Sequence, residues 1–177
     1  MEFNFFTLVF LFAILTSVLA LLWLNFRQDK AIDNSFDSVP DGFSETIKLE
    51  DHQKAGRYTK AKLLLNHFEI IFSTIVLLVW TLGGAMNWID GYWSQKIDDP
   101  VLMGTFFVLS IMLIASFIDL PFSIYRNFVL EQKFGFNRMS AGTFAGDLIK
   151  EVILSLILVL PLIYAILYLM NIESIGN

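Results

Sequence analysis

Four side chains with obvious chemical potential, Asp119, Arg126, Glu131 and Lys133, fall in the longest polar interval of the second half of the chain, residues 119–150. Two carboxylates placed there could act as general acid and base. Lone carboxylates beside Arg126 and Lys133 are more simply read as structural ion pairs. The only two histidines, His52 and His67, invite a zinc reading. Catalytic zinc takes three protein ligands, with two His often at i and i+4 of one helix. His52 and His67 are fifteen residues apart, and neither opens a His-Glu-x-x-His. Both read as surface or packed helix residues. The chain has no cysteine, which excludes disulfides, Cys-ligated zinc and thiol catalysis. These residues therefore assemble no catalytic set and no metal site.

The elements that carry them are membrane helices. Of 177 residues, 56% are hydrophobic and only 16% charged, with a mean hydropathy of +0.64. A soluble domain has about 25% charged residues. The apolar residues lie in runs long enough to cross about 30 Å of hydrocarbon. Four spans are expected, at about 3–26, 68–89, 101–118 and 148–170, giving an all-α polytopic transmembrane bundle. The first run follows Met1-Glu2, lacks a basic n-region and exceeds a signal-peptide core in length, so it reads as a retained helix. Between spans one and two, residues 39–42 have turn chemistry and residues 49–62 read as a helix, with Glu50 and Lys54 in the favourable i, i+4 order. Trp88, Tyr92 and Trp93 mark a membrane–water interface. A turn or kink is expected at Asp119 and Pro121, and Pro161 should kink span four. Gly142-x-x-x-Gly146 matches a small-residue packing pattern, and Asn137 is a candidate cap for the helix leading into span four.

The basic residues set the orientation. Intervals 27–67 and 119–150 hold eleven of the twelve Lys and Arg, and Lys96 alone lies between spans two and three. The positive-inside rule then makes both long intervals cytoplasmic helical loops and both termini non-cytoplasmic. The basic residues form no single patch, which argues against nucleic acid. No ionisable residue is expected near the middle of a span, which argues against a pump or proton-coupled transporter. Glu69, at the start of span two, is the nearest case and reads as interfacial.

A reaction class comes from a resemblance. The run Leu120-Pro121-x-Ser123-x-Tyr125-x-x-Phe128-Val129-x-Glu131-x-x-x-Gly135-Phe136-Asn137 closely resembles a signature of the type I CAAX prenyl proteases. A second match is Leu49-Glu50-x-His52-Gln53-Lys54-Ala55-x-x-Tyr58-Thr59-x-Ala61-Lys62, similar to the bacterial form of the segment before span two; Asp147 and Lys150 also fit. The resemblance implies an integral-membrane zinc metallopeptidase, with seven helices around a hydrophilic chamber and a peptidase domain on the cytoplasmic side. Zinc is implied for the full-length protein, held by the two His of a His-Glu-x-x-His and a later Glu, with the motif Glu activating water. None of those catalytic or metal residues can be placed on this sequence.

The expectation is therefore that residues 1–177 are the N-terminal membrane domain of such a protease, truncated before the catalytic motif and inactive alone. Its role would be chamber wall and support for a C-terminal peptidase domain. Pro121, Ser123, Tyr125, Glu131, Gly135, Phe136 and Asn137, with His52, Gln53, Lys54 and Tyr58, are the candidate shaping and docking residues. The expected partners are the lipid bilayer, the peptidase domain and, in the full-length enzyme, a peptide or protein substrate. The expected location is a bacterial inner membrane, or an ER-type membrane in a eukaryote. The alternative is a non-catalytic multi-pass scaffold or partner subunit.

Overall fold

The computed structural model describes residues 4–175, apart from the side chains of residues 41 and 173–175. The first residue of the expected 3–26 span thus lies outside the described residues. Those described are helical, with no strand among them. The elements are α1 (Phe5–Asn34), a 3-10 turn (Asp41–Phe43), α2 (Leu49–Thr81), α3 (Ala85–Ser94), α4 (Pro100–Tyr125), a π-helical turn (Arg126–Glu131), α5 (Gln132–Phe134) and α6 (Ala141–Ile175). Four stretches are long and apolar enough to cross a membrane: Phe5–Asn34, Leu49–Thr81, Pro100–Phe134 and Ala141–Ile172.

The chain divides into two compact units, Met1–Leu82 with Tyr125–Phe136, and Gly83–Ile124 with Asn137–Asn177. In the first unit, α1 packs against α2. Asn4 caps α1 by accepting a hydrogen bond from the Thr7 amide at 2.9 Å, satisfying one of the first-turn donors that a helix leaves free. The helix outlasts the expected span by two turns because its polar end finds partners. Arg27 stacks 4.8 Å from the Trp23 ring, and Asp29 and Asp33 both pair with Lys60 of α2. Gly56 permits the close approach here: a Cβ at that position would sit 3.2 Å from the Phe36 ring. The polar helix read over 49–62 and the apolar run that follows are one continuous helix, α2.

That helix stops at Thr81, inside the expected 68–89 span. Gly84 takes a left-handed φ of +81°, which only glycine adopts at little cost, and a new helix begins at Ala85. In the second unit, α3 is ten residues long, about 15 Å, half the hydrocarbon thickness. It is fastened to α4 by the Trp93 indole, which donates to the Ser110 hydroxyl at 2.8 Å and lies 5.0 Å from the Phe106 ring. Asp99 starts α4 by accepting from the amides of Val101 and Leu102. Helices α4 and α6 meet at Gly104, where a Cβ would stand 3.0 Å from Leu167.

Two sequence expectations need correction here. Gly142-x-x-x-Gly146 makes no close helix contact among the described residues: nothing lies within 4 Å of a Cβ at Gly146, and only the Ser140 hydroxyl approaches one at Gly142. The cap of α6 is Ser140, whose hydroxyl accepts from the Thr143 amide at 3.1 Å. Asn137 instead closes a local turn, accepting from the Met139 amide at 2.7 Å. Pro121 and Pro161 both lie inside continuous helices. Exposed Phe, Leu and Ile cover all four long helices, as lipid-facing surfaces require.

Candidate functional site

The site is built where the two motif-bearing segments of the first unit meet. One side is the first, polar part of α2, residues 49–62, which precedes the apolar run of that helix. The other is residues 125–136, where α4 ends in a π-helical turn. A π-turn adds one residue per hydrogen-bonded loop, is rare, and when present often marks a functional segment. It is followed by α5 and then by Gly135, whose φ of +80° closes the helix as a left-handed cap. The Phe136 amide returns to the Glu131 carbonyl at 2.9 Å, completing the closure.

Two side-chain links join this segment to α2. The Tyr58 hydroxyl donates to Glu131 Oε1 at 2.5 Å, and the Arg126 guanidinium pairs with Glu69 Oε1 at 2.5 Å. Tyr58 and Glu69 are eleven residues apart, about three turns of helix, so both face the same side of α2. Glu131 and Arg126 bracket the π-turn, which is thus held at both ends. Leu130, between them, is buried. The Tyr58 ring adds edge-to-face contacts with Phe134 at 5.3 Å and Phe136 at 4.8 Å, and Lys54 lies 5.5 Å from the Phe136 ring. The hydrogen bond to Glu131 raises the Tyr58 pKa above its ordinary value, helped by partial burial and by the carboxylate's charge. Tyr58 is therefore a neutral donor, and the arrangement is a mechanical clamp with no activated nucleophile.

Of the residues singled out in the sequence, Lys54, Tyr58, Glu131, Gly135 and Phe136 come together here. His52 does not join them: its Nε2 pairs with the Ser35 carbonyl at 2.7 Å, tying α2 to the end of α1. His67 pairs with the Leu63 carbonyl of its own helix. Gln53 is half-buried on α2, and Tyr125, the last residue of α4, is exposed. Pro121, Ser123 and Asn137 belong to the second unit. The expected ion pairing of Glu131 with Arg126 or Lys133 is replaced by Tyr58–Glu131 and Glu69–Arg126. Sequence reasoning missed Phe134 and the partner of Glu69. It also passed over Glu151, which lines a small groove in the second unit with Ser116 and Ser155, within the expected 148–170 span. The signal was available, since Glu151 is a carboxylate embedded in an apolar run.

Among the described residues, no three His, Cys, Asp or Glu are placed to hold a metal ion. The residues present thus do not fit the zinc that the resemblance implies for the full-length protein.

Residues 28–176 match the family model described as "CAAX prenyl protease N-terminal, five membrane helices". The described residues contain four helices of crossing length, with the short α3 between the second and third. The chain is 31% identical over 157 residues to the CAAX prenyl protease 1 homolog of Dictyostelium discoideum, covering 84% of this chain and 36% of that protein. It is 29% identical over 144 residues to the Caenorhabditis elegans homolog, covering 81% of this chain and 31% of the relative. It thus spans about a third of the length of the curated relatives it matches. In three dimensions it resembles the crystal structure of S. mikatae Ste24p, with a TM-score of 0.80 and 22% identity. The match covers 93% of this chain and 39% of the other, a likeness of fold.

Proposed function

This chain belongs to the CAAX prenyl protease family through its N-terminal membrane part, and from that premise we propose that it forms chamber wall in a zinc metalloendopeptidase and holds the peptidase domain in position. The observation that carries the proposal is the clamp. Two segments 73 residues apart in sequence, each resembling the family's signature, are joined by the Tyr58–Glu131 hydrogen bond and the ring contacts around it. A clamped π-turn ending in exposed Phe136 offers a rigid platform for a neighbouring domain. Rigid supports position catalytic groups better than mobile loops do.

The zinc of the full-length enzyme would be held by a His-Glu-x-x-His and a later Glu, supplying a Lewis acid and an activated water. No such motif occurs in these 177 residues, and the role we propose for them is positional. The proposed substrate is the C-terminal region of a CAAX protein. The segment is a multi-pass membrane protein. We place both its termini on the non-cytoplasmic side and its two basic intervals in the cytoplasm of a bacterial inner membrane, or facing the cytosol from an ER-type membrane.

The test uses the full-length protein that carries this segment and a farnesylated CAAX peptide. Proteolysis is expected to require zinc, and Phe136→Ala and Glu131→Ala are expected to lower it without changing helix content. Absence of zinc-dependent proteolysis, together with a stable stoichiometric complex with another membrane protein, would replace this reading with a scaffold or partner subunit.

A further inference from the structure

A cavity of about 380 Å³ lies in the first unit beside the clamp. Its wall includes Gln28 of α1, Lys62, Asn66 and Glu69 of α2, and Arg126 of the π-turn. The three α2 residues recur at four- and three-residue spacing, so one helix face supplies them. The cavity sits where both helices change character. Helix α1 passes from its apolar run to Arg27 and Gln28, and α2 passes from Lys60 and Lys62, through Asn66, His67 and Glu69, to an uncharged and mainly apolar run beginning at residue 70. It is therefore at the level of the membrane–water boundary.

The charges within it do not cancel. Arg126 neutralises Glu69, whereas the ammonium of Lys62 rests over the Tyr58 ring, at 5.2 Å, with no carboxylate in ion-pair contact among the described residues. Among the charged residues of the wall one cation is left over, in a cavity that the amides of Gln28 and Asn66 also line; the Glu131 carboxylate behind Tyr58 is engaged by the Tyr58 hydroxyl. Behind Asn66 lies a second under-satisfied group. Asn25 is 8% exposed and accepts from the Asn66 amide at 3.3 Å, while its own Nδ2 has no partner among the described residues. A buried donor without an acceptor is uncommon, and the Asn66 to which Asn25 is bonded lines the cavity. Exposed Leu24, Phe68 and Phe72 line the adjoining helix surfaces, where acyl chains would lie.

We propose that this cavity binds the phosphate of an anionic phospholipid headgroup, with Lys62 as its principal ligand and Asn66, Gln28 and Arg126 as further donors. Basic pockets between helices at the cytoplasmic boundary suit such headgroups, because the cation count matches the phosphate and the chains stay in hydrocarbon. The inference concerns only this unit and holds whether or not the full-length protein is a protease.

The test is native mass spectrometry of the purified chain in detergent, titrated with phosphatidylglycerol or with phosphatidylcholine, and with inorganic phosphate as competitor. Phosphatidylglycerol is expected to bind in preference to phosphatidylcholine. Lys62→Gln should weaken it about tenfold, the loss of one charge-assisted hydrogen bond. Lys62→Arg should retain binding, and Lys150→Gln, a surface lysine of the second unit, should leave it unchanged. Lys62 is exposed, so its substitution does not threaten the fold. Equal binding of the two lipids, an unaffected Lys62→Gln, or equal losses in Lys62→Gln and Lys150→Gln would overturn the proposal. Binding of inorganic phosphate without any of phosphatidylglycerol would overturn the lipid assignment.

Discussion

Removing one oxygen from the clamp, by Tyr58→Phe, tests the account at its hinge. The substitution deletes the hydroxyl that reaches Glu131 and keeps the ring that meets Phe134 and Phe136. A hydrogen bond to a charged acceptor contributes about 1.5–3 kcal/mol. Tyr58 and Glu131 are both half-buried, so water can replace part of the lost donor, and the lower end applies, about 1.5 kcal/mol. That is roughly a tenfold rise in local opening. Tyr58→Ala removes two ring contacts as well, each worth about 0.5–1.5 kcal/mol, for a further one to three kcal/mol, roughly. The assay is amide hydrogen exchange of the purified chain in detergent, read for peptides covering residues 126–136. Their exchange should accelerate about tenfold in Tyr58→Phe and distinctly more in Tyr58→Ala, with peptides from the second unit unchanged. A Tyr58→Phe protein with wild-type protection, beside a strongly affected Tyr58→Ala, would show that the rings hold the segment and the hydroxyl contributes nothing.

Other outcomes follow from the same geometry. Because the folded-state pKa of Tyr58 is raised, its contribution to the clamp should be fully present from neutral pH up to about 10 and be lost as pH rises through the raised value; absorbance titration of wild type against Tyr58→Phe checks this. Gly135→Ala should cost about 1–2 kcal/mol, measured as thermal stability, because its φ is +80° although the space for a Cβ is open; Gly135→Asn should cost less. Gly104→Ala should be nearly neutral, since the flexible end of Leu167 can give way, whereas Gly104→Leu should cost about 1–3 kcal/mol by overpacking the contact between α4 and α6. The lack of native cysteine permits a topology test: Ser94→Cys should react with an impermeant maleimide from the non-cytoplasmic side and Ser38→Cys should not.

The membrane helices were legible because lipid demands an unbroken apolar run, and such runs need no knowledge of neighbours. The polar residues at the end of α1 were less so. Whether Asp29 and Asp33 continue a helix depends on Lys60, about thirty residues away in sequence. The break at Gly84 was visible as a Gly-Gly pair, but only the backbone conformation shows that the helix stops there. For the site, the motif residues Tyr58, Glu131 and Phe136 were named in sequence, whereas their pairing was not. Local proximity had suggested Arg126 for Glu131, and the fold instead turns Arg126 to Glu69, 57 residues away. Small-residue spacing misled in the same way: Gly142 and Gly146 have the pattern, and Gly104 and Gly56 have the contacts. Spacing along one helix cannot reveal which face meets another.

The most direct measurement of the central claim is the steady-state kinetics of the full-length protein on a farnesylated CAAX peptide, comparing wild type, Tyr58→Phe and Glu131→Gln. If residues 125–136 position a peptidase domain through the clamp, kcat/KM should fall about tenfold in each variant. The double variant should fall no further than either, because both remove one interaction. Wild-type kinetics in both single variants, with hydrogen exchange showing the segment loosened, would contradict the claim that this clamp supports catalysis.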